Sequence, residues 1–78
     1  VTTRGIPLVV ERSPGGLNGW NITAGPRKRF LVGGEDLALE EAMRMVAPGL
    51  EERIRVVELI RSELRRRLRV EVVVEVVA

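Results

Sequence analysis

The chain is 78 residues and 8.7 kDa, too short to split into two parts that each bury a core, so residues 1–78 read as a single domain. Apolar residues make up 45% and charged residues 31%, with a net charge of +2, which fits a folded chain and argues against disorder, a membrane-embedded protein or a polycation. Histidine, cysteine and tyrosine are absent, which removes the parts for His- or Cys-based nucleophilic catalysis, imidazole proton transfer, zinc sites and disulfides.

In chain order, Ile6 to Val10 is β-branched or aliphatic and predicts a first strand, with Pro7 marking an edge or entrance because proline has no ladder donor. Ser13, Pro14, Gly15, Gly16, Leu17, Asn18 and Gly19 form a loop, and Trp20 to Ala24 resumes alternation as the second strand of a hairpin. Gly25 and Pro26 make a turn into a third strand, Arg27 to Val32, with Phe30 and Val32 on one face, ended by Gly33 and Gly34. Asp36 is placed as the N-cap of a helix over Leu37 to Ala47, where Leu39, Ala42, Met43 and Val46 recur at helical spacing and Glu40 precedes Arg44 by four. Pro48 and Gly49 stop it.

Leu50 to Arg67 carries the strongest helical signal. Leu50, Ile54, Val57, Ile60, Leu64 and Leu68 form its stripe, and Glu51 with Arg55 and Glu63 with Arg67 form its pairs. From Leu68 the period becomes two: Leu68, Val70, Val72, Val74 and Val76 face one way, and Arg69, Glu71, Val73 and Glu75 the other. The predicted fold is α+β, an antiparallel sheet of about four strands in the chain order β-β-β-α-α-β with helices packed on one face.

Twelve of the thirteen basic residues are arginine, but residues 37 to 78 hold eight charges of each sign and the first 36 residues five basic and three acidic, so no half is a polycation. The stretch beginning Val1, Thr2, Thr3 and Arg4 lacks a secretory apolar region, and no segment approaches a spanning helix, so the expectation is cytoplasmic with no membrane partner. Without disulfide or metal, so small a chain relies on packing or on a second copy, which makes a homodimer the expected assembly.

Each candidate site has a plainer reading. Gly15, Gly16 and Gly19 lack phosphate-loop spacing, and Glu35 and Asp36 would repel an anion at the helix that follows Gly33 and Gly34. Glu71 and Glu75 share a strand face, but roughly 13 Å of backbone separates them, too far for an acid–base pair. Glu40 with Glu41, and Glu51 with Glu52, point in different directions, so no metal site is predicted. Arg65, Arg66 and Arg67 suit a helix C-terminus. Arg27, Lys28 and Arg29 beside Phe30 are the candidate nucleic-acid contacts, or else a solvated strand entrance. Trp20, the sole tryptophan, is either a partner-facing anchor or a plug at the mouth of the core. Leu59 lies nearly opposite the helical stripe and hints at a partner or dimer contact.

Two families share parts of this pattern. Pro7 to Arg12, the glycine loop, Trp20, the third strand, Gly33, Gly34, Glu35, Asp36, Leu37 and then Leu39, Glu40, Glu41, Ala42 resemble the HicB-type antitoxin domain over residues 6 to 47 and the last strand. The resemblance implies a partial RNase H-like sheet that pairs with a toxin or its own copy without catalysis. The chain departs from that pattern in the short Gly25-Pro26 stretch and the break at Pro48 and Gly49, and no separate DNA-binding domain is expected to follow. Arg27 to Val32 with Glu58, Leu59, Ile60, Arg61, Leu64 and Leu68 is similar to ribbon-helix-helix DNA-binding proteins, which implies base reading by Arg27, Arg29 and Leu31 if Phe30 faces inward. Together these lead to an expected non-catalytic protein-interaction domain, with no cofactor and no metal, engaging a partner through its sheet or edge. The alternative is a small nucleic-acid binder using Arg27, Lys28 and Arg29.

Overall fold

A computed structural model describes residues 2–15 and 18–77, so Gly16 and Leu17 of the expected loop lie outside the described residues. Its elements are β1 (Thr3–Arg12), β2 (Gly19–Ala24), β3 (Arg27–Val32), α1 (Glu35–Val46), α2 (Leu50–Leu64) and β4 (Arg69–Val77). All strand pairs are antiparallel, in the order β3-β2-β1-β4, so the first and last strands in sequence are neighbours and the predicted α+β fold is the one observed. The two helices pack on one face of this sheet.

Alternation along the strands decides which face the helices cover. Leu8, Val10, Trp20, Ile22, Ala24, Val70, Val74 and Val76 are buried against Ala38, Leu39, Ala42, Met43, Met45 and Val46 of α1 and Val56, Ile60 and Leu64 of α2. The six largest fully buried side chains include Leu8, Val10, Ile22 and Val74 from three strands and Val56 and Ile60 from α2. Each contributes roughly 1.5 to 3 kcal/mol by leaving water.

β1 is longer than its aliphatic core suggested, and Pro7 explains its shape. β2 begins its pairing with β1 at Ala24, opposite Leu8, while β4 runs beside β1 from Thr3 to Glu11. Pro7 therefore stands where β1 passes from two neighbours to one. Its carbonyl accepts the Gly25 N–H at 2.9 Å, and beyond that point no β2 residue requires a donor from it. Gly25 opens the two-residue β2–β3 turn at φ +61°, a region that glycine enters without a Cβ penalty.

The helix boundaries differ from expectation. α1 starts at Glu35 with Gly34 as its N-cap, so Asp36 is a first-turn residue, and its carboxylate goes to Arg61 of α2 at 2.6 Å instead of to the backbone. α2 ends at Leu64, three residues early, and the N–H groups of Arg66 and Arg67 close onto the Glu63 carbonyl at 3.0 and 2.9 Å. Its buried row is Val56, Ile60 and Leu64. Leu50 is 74% and Ile54 52% exposed, and Leu68 is exposed too, so the predicted stripe is only partly the core face. α2 is rolled toward β4, turning the other half of its apolar surface to the gap beside α1.

Candidate functional site

The strand order leaves two edges, β3 and β4, and the sequence treats them differently. In an antiparallel ladder, alternate residues direct both backbone groups at a neighbour and the residues between direct theirs away. The Gly33 N–H donates to Asn18 O at 2.7 Å toward β2, so along β3 the odd positions bond inward and Lys28, Phe30 and Val32 bond outward. The Arg12 N–H donates to Leu68 O at 2.8 Å, so along β4 the even positions face β1, and Val73 and Glu75 face away.

At β4 two of the outward groups, one donor and one acceptor, are taken by side chains of α2. The Glu75 N–H donates to Glu52 Oε2 at 2.8 Å, and the Arg55 guanidinium donates to the Val73 carbonyl at 3.3 Å. Arg55 also grips Glu52 through two bonds, of 2.7 and 2.6 Å. The Glu52 carboxyl is lowered from 4.5 to about 2, chiefly by Arg55 and next by the Glu75 N–H, against a smaller upward push from burial. Arg55 is raised in turn. Further along the strand, Arg69 reaches Glu71 at 2.5 Å and Glu11 at 3.6 Å. Charges of this kind discourage further pairing.

At β3, among the described residues, no hydrogen bond engages the outward groups of Lys28, Phe30 or Val32. The three side chains stand on the sheet face that the helices leave open. Phe30 is 58% exposed, and its ring lies over Gly19, where a Cβ would come within 3.0 Å of Cζ. The condition placed on the ribbon-helix-helix reading, that Phe30 face inward, is therefore not met.

The basic triplet is divided by the same alternation. Arg27 and Arg29 turn toward α1, where Arg27 donates to the Met45 carbonyl at 3.0 Å and Arg29 lies 3.3 Å from Glu41. Lys28 points to the opposite face. Trp20 takes the second of its two readings: it is 3% exposed, its indole N–H donates to Gly33 O at 2.9 Å, and the Arg12 guanidinium covers its ring at 4.9 Å. It is a core plug and presents no anchor to a partner. Arg12 also lies 3.9 Å from Glu35, which pairs with Arg61 at 3.3 Å, so the Trp20 corner is tied through α1 to α2.

Leu59 is 39% exposed and lines a shallow groove with Glu63, Arg67, Arg69, Val70 and Glu71, on the β4 side of the molecule and away from Trp20 on β2. Those two residues do not form one surface. Glu71 and Glu75 share the open face, with Glu75 N–H already engaged by Glu52. Among the described residues no group of three or more metal-ligating side chains occurs, and no helix is long and apolar enough to cross a membrane.

Glu52 and Arg55 were not legible as site residues. Spacing favoured Glu51 as the partner of Arg55, and nothing local shows that α2 lies along β4. Compared with known proteins, the chain matches no family model, no curated protein and no solved structure.

Proposed function

We infer that this is a non-catalytic protein-interaction domain that engages its partner along the edge of β3. One observation carries the reading: three successive outward positions, Lys28, Phe30 and Val32, hold backbone donors and acceptors that are unpaired among the described residues, on an edge that no helix covers, while the other edge has two of its outward groups engaged by α2. An extended segment adds to such an edge by main-chain bonding. The lack of histidine and cysteine supports a role without catalysis, and the Glu52 carboxyl, held well below its ordinary value by Arg55, is occupied in bridging α2 to β4. A toxin as the partner rests on the HicB resemblance alone. The expected homodimer finds its best support in Leu37, Leu50 and Ile54, which the helix layer leaves exposed.

The test compares wild type with Phe30→Pro, which removes one outward donor from an edge strand that tolerates proline there. Proteins retained by the wild type should be lost by the variant while its circular dichroism is unchanged. In the resulting complex the amides of residues 27–32 should become protected from exchange. Equal retention by the variant, or protection confined to α1 and α2, would contradict the reading.

A further inference from the structure

We propose that the open edge of β3 receives an acidic extended segment of a partner protein, which joins the sheet as a fifth strand. This rests on the reading of β3 as the contact edge and adds the chemistry of what it contacts. Around that edge stand Arg27, Lys28, Arg29 and Arg44, with Glu40 and Glu41 on the helix side and Glu11 in the open-face groove beside Lys28 and Phe30, where it lies 3.6 Å from Arg69. Glu41 is already shared, at 3.3 Å from Arg29 and 2.9 Å from Arg44, and Glu40 is 3.4 Å from Arg44. Arg27 is bound to a neutral carbonyl, and among the described residues Lys28 has no ionic partner. Four cations thus stand against three carboxylates, one of them shared with Arg69, so the edge keeps an excess of positive charge.

A second copy of β3 does not supply what is missing. Residues 27 to 32 contain no acid, so no register of β3 against itself places a carboxylate beside Lys28 or Arg27. A register centred on Phe30 sets Lys28 against Val32, and registers shifted toward the turn set cation against cation. A partner strand with an acid beside Lys28 on the open face, an acid near Arg27 and Arg29 on the other, and an apolar residue beside Phe30 and Val32 satisfies both faces. Main-chain bonds to Lys28, Phe30 and Val32 fix its position, and the charges select it.

The probes are three capped valine-rich peptides that carry glutamate, threonine or lysine at the positions facing Arg27, Lys28 and Arg29 and valine beside Phe30 and Val32, added to the 15N-labelled full chain. The glutamate peptide should shift the amides of Lys28, Phe30 and Val32 and slow their exchange, with an affinity that falls as salt is raised. Lys28→Glu should weaken that peptide by roughly tenfold and strengthen the lysine peptide, and Lys28→Gln should fall between. If the three peptides bind β3 equally, the edge reading stands and the acidic partner is overturned. If none touches β3, both are overturned. Protection of the same amides by the chain's own concentration, without peptide, assigns the edge to a second copy and overturns the proposal. Tighter binding of a thymidine oligonucleotide at these residues does so in favour of nucleic acid.

Discussion

β4 and β3 are the two outer strands of one sheet, and each meets the common difficulty of an edge, a row of backbone groups with no neighbour. β4 has a helix beside it: Glu52 takes the Glu75 N–H and Arg55 the Val73 carbonyl, so side chains engage two of its outward groups. β3 has α1 behind it but not beside it, and its arginines reach back to α1 while its outward groups stay open. The contrast shows that edge protection here comes from where a helix lies as well as from the strand's own charges, because α2 supplies the two bonds to Val73 and Glu75 that β3 lacks. β4 is the more apolar of the two and yet the more closed.

The largest expected effect comes from breaking what holds the β3 side in place. Trp20→Ala removes the indole packed between Arg12 and the start of α1 together with its bond to Gly33, and should lower unfolding free energy in urea by about 3 to 5 kcal/mol. Opening the protected edge costs less. Glu52→Ala should destabilise by about 1 kcal/mol, because the Glu75 N–H turns to water instead of being buried unpaired, and should speed exchange at Glu75 without altering Phe30.

Acid should act on the same clamp. Because the folded Glu52 carboxyl lies below its ordinary value of 4.5, at about 2, its contribution is fully present above about pH 4.5 and is lost as the pH falls toward and through 2. The Glu75 amide resonance should titrate with a midpoint near 2 while those of Lys28, Phe30 and Val32 do not follow it. The smallest effect is at the open edge itself. Lys28→Glu should change stability by less than about 0.5 kcal/mol, since Lys28 has no partner to lose among the described residues, and should show only in binding.

Much of this arrangement was legible because the period of apolar residues changes where the structure does. The two-residue alternation after Leu68 gives β4, and Leu39, Ala42, Met43 and Val46 give the buried side of α1. What could not be read is which arc of α2 meets the sheet. Leu50, Ile54 and Val57 extend its apolar surface beyond one face, and local spacing does not distinguish that arc from the Val56, Ile60, Leu64 row that the sheet covers. The same roll sets Glu52 and Arg55 against β4, so the clamp was hidden with it. Arg27, Lys28 and Arg29 looked like one cluster in sequence, but strand alternation places Lys28 on the opposite face from the two arginines.

The comparison of the edges is tested most directly by amide hydrogen exchange on the free chain, residue by residue. The predicted result is slow exchange at Glu75, although its N–H lies on the outer side of an outer strand, with fast exchange at Lys28, Phe30 and Val32. Exchange at Glu75 as fast as at Phe30, or protection of all three β3 amides in the isolated monomer, would contradict it.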